Sequence, residues 1–370
     1  MKIAIEAQRI FRKEKHGMDY VALETIRELQ KIDQQNEYFI LVSPGDDICL
    51  QESANMHIVT VNWPSYPLWE QIGLPLALKK IKPDLLHCTS NTAPVYGNIP
   101  LVLTLHDIIF LEKKQGKNQS MYQRLGRFYR KIIVPQILTK RIITVSHFEC
   151  NRISHFLHID KQLLVAVYNG YSQHFIPIRN AQAITARYIK NHPYLFFLGN
   201  TDPKKNTARV LQAYRIYLKK SSQPLPLLIA DLKEEIIDEY LNREGLQEIK
   251  KMLYHPGYIP NTELPAVYSG ASVFIYTSLR ESFGIPILEA MACGTPVITS
   301  TTSAMPEIAG PEGILVNPFK PEEIASALLH LEENAEFYQS QTAYGLERVR
   351  RFSWEKTARE ILNIYKEILA

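Results

Sequence analysis

The chain has 370 residues, 46% of them hydrophobic and 22% charged, with a mean hydropathy of −0.15. It is too long for one ordinary core and suits two domains. A net charge of only +4 and the absence of any nucleic-acid-binding signature argue against a nucleic-acid partner, and the four cysteines show neither metal-ligand spacing nor a disulfide framework. No apolar stretch approaches the ~20 residues needed to span a bilayer, so the sequence predicts a cytoplasmic protein.

In chain order, the opening "KIAIEA" predicts a strand rather than a secretory signal, since no apolar core follows the lysine. A helix is predicted over Tyr20–Ile32. The runs "EYFILVS", "HIVTVN", "LLHCTS", "LVLTLHD", "RIITVSH" and "LLVAVYNG" continue a pattern of strands separated by helical segments. Between Lys113 and Arg141 lie nine basic residues and no acid, with Tyr122, Leu125, Phe128, Tyr129 and Ile132 interleaved at helical spacing. Such a helix suits an anionic membrane surface or a phosphate-bearing acceptor. In "VSHFE", Ser146 is the natural cap of a following helix.

The stretch 176–193 is polar and less patterned, and reads as a linker. The alternation then restarts with "YLFFLG", "PLLIAD", "MLYHPGYI", "SVFIYTS", "PVITST" and "GILVN". Strands alternating with helices imply parallel sheets covered on both faces, and the restart implies two of them in tandem. The expected boundaries are 1–175 for the first domain, 194–352 for the second, and 353–370 for an amphipathic C-terminal helix that crosses back to the first.

Ligands bind beyond the carboxyl ends of strands in such sheets. His106 and Asp107 follow one strand, "NTDPKKN" another, and "RESFG" a third. Lys204, Lys205 and Asn206 stand just before the helix "TARVLQAYRIYL", where backbone N–H groups and the lysines suit a diphosphate. In "ESFGIPILE" a glutamate stands eight positions before another, across Gly284 and Pro286. Pro286 suits the first position of a helix that ends at Gly294, which sets Glu281 in a loop and Glu289 on the first turn. Neighbouring residues on a strand face opposite ways, so a direct His106–Asp107 relay is not expected.

These motifs, in this order, resemble the family 4 retaining glycosyltransferases, nucleotide-sugar enzymes of the GT-B fold. The match runs over nearly the whole chain, through "TLHDI", "ITVSHFE", "VYNG", "LGNTDPKKN", "GYIPNTELPAVYSGA" and above all "SLRESFGIPILEAMACGTPVITSTTSAMPEI". The resemblance implies two Rossmann-like domains facing a cleft, the first for the acceptor and the second for the donor. It assigns Glu289 to the ribose hydroxyls, Glu281 to the sugar with the N–H groups around Phe283 and Gly284, and Lys205 to the diphosphate. Gly17 matches the glycine that lets backbone approach the phosphates, His106 the histidine near the sugar, and Tyr258–Ile259 the segment that meets the base.

Three departures accompany the match. Asn200 stands where many members carry arginine, so Arg280 or Lys204 would supply a second positive charge. Asp231 stands where glycine is usual, and "RKEKHGMDY" is poor in glycine. The implied donor is a GDP- or UDP-hexose of mannose or glucose type. The implied acceptor is a glycan or a polyprenyl- or other lipid-linked acceptor of bacterial surface-polysaccharide synthesis, and the basic window 113–141 would dock the protein at the inner face of the plasma membrane. No cofactor or metal is expected, because Lys205 and a helix N-terminus supply positive charge and no Asp-x-Asp pair stands in a suitable loop. A nucleotide-sugar 2-epimerase shares the architecture, and a silent binding subunit would be marked by loss of a glutamate or of Lys205. Both glutamates and the lysine are present.

Overall fold

A computed structural model describes residues 1–112, 121–137, 139–190 and 193–370. It divides into two compact units, one of Met1–Gly170 with Ser353–Ala370, the other of Tyr171–Phe352. The lysines at 113, 114 and 117 of the basic window lie outside the described residues.

In the first unit, β1 (Lys2–Glu6), β2 (Glu37–Val42), β3 (Met56–Thr60), β4 (Leu85–Cys88), β5 (Leu101–Thr104), β6 (Arg141–Thr144) and β7 (Leu164–Ala166) form one parallel sheet in the order β3-β2-β1-β4-β5-β6-β7. The period of two along each strand splits its side chains between two cores. Ile3, Ile5, Ile40 and Val42 pack under the helices Gly17–Ile32 and Trp354–Leu369. Ala4, Leu41, Leu86 and Leu103 meet Trp69, Leu74 and Ile153 on the other face.

The second unit repeats the plan. β8 (Tyr194–Leu198), β9 (Leu227–Ala230), β10 (Leu253–Gly257), β11 (Ala271–Tyr276), β12 (Val297–Ser300) and β13 (Ile314–Val316) are ordered β10-β9-β8-β11-β12-β13, again all parallel. Every strand-like run of the sequence holds one of these thirteen strands. One face is aliphatic, with Leu195, Ile229 and Ile275. The other is aromatic: Phe196, Tyr268 and Phe274 pack with ring centroids 5.0–5.4 Å apart.

The C-terminal helix returns to the first unit, as its amphipathic pattern and the family resemblance imply. Trp354, Ala358, Ile361, Ile364 and Tyr365 are buried, and the Tyr365 hydroxyl meets His87 Nδ1 at 2.5 Å. Where the chain leaves and re-enters, a Cβ on Gly170 would stand 2.2 Å from the Trp354 nitrogen, so only glycine fits. The stretch 176–193, read from sequence as a linker, folds into the second unit. Its helix Gln182–Thr185 packs on the helix Leu264–Gly270, Ala181 and Ile189 are buried, and Arg187 pairs with Glu263 at 2.8 Å. Polar composition hid a segment anchored by Ala181 and Ile189. Among the described residues no helix is long and apolar enough to cross a membrane.

Candidate active site

In the second unit the carboxyl ends of β8 and β11 gather the charged residues singled out in the sequence. After β8, the Asn200 side-chain oxygen accepts the Asp202 N–H (2.8 Å), and Asp202 accepts the Lys204 N–H (3.0 Å), tightening one turn of 3₁₀ helix over Pro203–Lys205. Asn206 then takes a left-handed conformation, φ 65°, and its Nδ2 donates to the carbonyls of Thr277 and Pro318 at 3.0 and 2.7 Å. This buried side chain fastens three loops together ahead of the helix Thr207–Lys220. Asn200 therefore serves its own turn, and Lys204 extends towards Asp202 (3.9 Å) while its carbonyl accepts the Leu279 N–H.

Lys205 has a different setting. Its Nζ lies 2.7 Å from Glu281 Oε1 and 3.4 Å from the Tyr276 hydroxyl, with both members of the ion pair largely withdrawn from solvent. Burial works against the ammonium, but the Tyr276 oxygen and the Glu281 carboxylate outweigh it and hold Lys205 above the ordinary lysine range. Glu281 is fixed from behind by Ser303, whose hydroxyl donates to the Glu281 carbonyl (2.5 Å) and accepts its N–H (3.0 Å). Arg280 donates to both the Glu281 carbonyl and Ser303 Oγ at 3.2 Å.

Gly284 has φ 107°, a conformation that an L side chain rarely adopts, and it caps the helix Ile285–Ala292. The helix starts one residue before Pro286, so Pro286 is its second residue and Glu289 lies on the second turn, not the first as expected. The dipole of the first turn is thus not what governs Glu289. Dense packing pushes its carboxyl up to about 7, against the lowering effect of a 3.1 Å hydrogen bond donated by the Tyr268 hydroxyl. Phe283 is buried against Phe352, leaving its backbone and that of Gly284 at the helix start. In the loop after β10, Gly257 has φ 81°, Ile259 is buried, and Tyr258 is 75% exposed. Asp231, where the family usually has glycine, keeps the left-handed φ of 66° and donates its N–H to the Gly257 carbonyl at 2.8 Å.

His106 and Gly17 belong to the first unit. His106 follows β5 and is 5% exposed; its N–H donates to Asn91 Oδ1 (2.7 Å) and its Nε2 meets the Thr89 carbonyl (2.9 Å). That carbonyl requires a proton on Nε2, and burial lowers the ring's pKa, so the imidazole is neutral with Nδ1 as acceptor. Asp107 accepts the Ile109 N–H within its own turn. Gly17 opens the helix Gly17–Ile32, and a Cβ there would meet nothing within 4 Å, so no contact inside the protein demands glycine.

Other polar residues of the site carried no sequence signal. Tyr276 and Tyr268 read as strand and helix aromatics, and Ser303 depends on a left-handed φ of 61°. In the first unit Glu6 ends β1, beside β4, where the strand order reverses. It is fully buried, accepts the N–H groups of Gln8 and Thr89, and is pushed by burial up to about 7. Asp19 is buried between Arg9 (3.1 Å) and Arg12.

Comparison with known proteins shows the family and the fold. Residues 182–348 match the family model for glycosyl transferases group 1, and residues 16–174 that for glycosyltransferase family 4. O-antigen chain mannosyltransferase B of Escherichia coli is 30% identical over 232 residues, which cover 61% of this chain and 60% of that protein. Sucrose-phosphate synthase from Thermosynechococcus elongatus superposes over 100% of this chain and 99% of its own with a TM-score of 0.77 at 18% identity. HepE of Anabaena, solved with UDP-glucose, covers 99% of this chain and 100% of its own, with a TM-score of 0.71 at 16% identity. The two matched models together span nearly the whole chain, the paired sheets are those of the GT-B fold, and the chain belongs to the family 4, group 1 glycosyltransferases.

Proposed function

We propose that the chain is a retaining, metal-independent hexosyltransferase that moves mannose or glucose from a GDP- or UDP-sugar to a glycan or lipid-linked acceptor. The observation that carries this reading is the Lys205–Glu281 pair, with Lys205 two residues ahead of the helix Thr207–Lys220. A departing nucleoside diphosphate leaves with negative charge, and preorganised cations and N–H groups are what lower the barrier to that step. Lys205 takes this part without a metal, with Arg280 or Lys204 beside it.

In this reading Glu281 holds sugar hydroxyls, assisted by the backbone of Phe283 and Gly284, and steadies the oxocarbenium-like transition state. Glu289 accepts the ribose hydroxyls. The backbone at Tyr258–Ile259 meets the base, Gly17 admits the diphosphate, and His106 offers Nδ1 to the sugar. A leaving phosphate oxygen takes the acceptor proton, so attack on the face just vacated retains configuration without a covalent carboxylate. The mannosyl reading is supported by the name of the E. coli relative, and the nucleotide sugar by the ligand of HepE.

The place of action is proposed to be the inner leaflet of the plasma membrane, approached through 113–141. Within the described part of that window the helix Met121–Ile133 turns Leu125, Phe128 and Ile132 outward, 61%, 64% and 43% exposed. Incubating the pure protein with labelled GDP-mannose and UDP-glucose, with and without a glycan acceptor, tests the reading. Acceptor-dependent nucleotide release with a product of unchanged anomeric configuration is expected. Interconversion of the sugar without transfer would instead make it an epimerase, and binding without turnover a silent subunit.

A further inference from the structure

In the first unit a concave groove of about 660 Å³ opens between the helix Leu74–Ile81 and the segment joining β4 to β5. It is of ordinary ligand size, and none of the polar residues described above lines it. Leu78, Leu86 and Leu101 form its floor as members of the buried cluster on that sheet face, and Pro75, Val95 and Ile99 form its walls. Lys79 and Lys82 line it as well; both are exposed, and neither ammonium group makes an ion pair or hydrogen bond with the described residues. The helical run that carries the groove also turns Leu68, Ile72 and Leu76 to solvent, 40%, 41% and 47% exposed. These stand four residues apart and so share one stripe.

We propose that this groove holds the isoprenoid chain of a polyprenyl phosphate, with its phosphate against Lys79 and Lys82. The inference rests on the reading of the acceptor as lipid-linked. The apolar floor calls for hydrocarbon, and the two unpaired ammonium groups call for an anionic head. A bound peptide strand would need partners for its backbone. Only Gln71 and Asn98 offer side-chain amides there, and Gln71 is already spent on Glu70, the Ala93 carbonyl, Tyr129 and the Val95 N–H. One groove takes one chain; a two-chain phospholipid would leave its second chain in water. The exposed Leu68–Ile72–Leu76 stripe is a surface that can rest on the bilayer from which the chain is drawn.

Lys82 precedes β4, so the cationic rim lies towards the amino ends of the strands, opposite the carboxyl ends where sugars are read. The groove is therefore an anchor for a carrier that already bears several sugars. It raises the local concentration of the far glycan end without touching the reacting atoms.

The test is photolabelling of the full chain by a polyprenyl monophosphate with a diazirine near its chain terminus, in phosphatidylcholine nanodiscs. Label is expected within residues 75–101. Val95→Trp and Ile99→Trp, at half-buried positions, fill the groove, while Lys79→Gln with Lys82→Gln neutralises the rim without touching the core. Each change should lower labelling on the order of tenfold, and excess phosphatidic acid should not compete. Lipid-free nucleotide release from the donor should not change. Label elsewhere, label indifferent to both sets of variants, or equal competition by phosphatidic acid would overturn the proposal. Failure of the transferase reading would show separately, as absent nucleotide release with labelling intact.

Discussion

Two carboxylates of one motif sit in opposite electrostatic settings. Glu281 is paired with Lys205, whereas Glu289 among the described residues has only the Tyr268 hydroxyl, and burial pushes it up to about 7. A folded-state value above the unfolded 4.5 means that the protonated form favours folding. That contribution is full below pH 4.5 and is lost as pH rises towards 7. In the proposed role of Glu289, ribose hydroxyls donating to the carboxylate favour its charged form, so nucleotide binding should release a proton between about pH 5 and 7. Calorimetry in two buffers of different ionisation enthalpy reads this directly, and Glu289→Gln should abolish the buffer dependence. The same variant should weaken donor binding, while Glu281→Gln should lower kcat as well, each costing about 1–3 kcal/mol. Either variant retaining full kcat/KM would remove that glutamate from the mechanism.

The elements were largely legible in the sequence because each strand is a short apolar run bounded by turn residues. The C-terminal helix showed its buried stripe through Trp354, Ala358, Ile361 and Tyr365. Less legible were features fixed by tertiary contacts. Asn206, read in "DPKKN" as part of a diphosphate cradle, is 3% exposed and gives its side-chain amide to the loops after β11 and β13. Asn206→Ala should destabilise the second unit by about 2–3 kcal/mol, since it orphans buried carbonyls and keeps a left-handed φ. Asn206→Gly should recover only the backbone part. A thermal melt unchanged by either substitution would contradict this account of the loop.

The helix Met121–Ile133 shows a second limit of sequence. Its arginines look alike, but Arg127 donates to the carbonyls of Phe110 and Glu112 and Arg130 lies over the Phe110 ring at 5.1 Å. Arg124 and Lys131 are the exposed basic residues of this helix. Replacing those two with glutamine should weaken binding to anionic liposomes by about 1 kcal/mol per charge while leaving the fold intact. Binding should also fall as salt rises. Wild-type protein that ignores such liposomes at low salt would leave the helix as a solvated face.

At the scale of the whole molecule, the chain builds two sheets of the same plan and brings its last helix home to the first. Family membership accounts for this plan, and the departures at Asn200 and Asp231 lie in the loops after β8 and β9. The claim on which the functional account turns is that Lys205 carries the leaving group's charge. Nucleotide release from the preferred donor, measured in EDTA for the wild type and for Lys205→Ala, tests it most directly. The account predicts full wild-type activity in chelator and a loss of roughly 10²–10³ in kcat for the variant. Activity abolished by EDTA and restored by magnesium or manganese, or a Lys205→Ala protein as fast as the wild type, would contradict it.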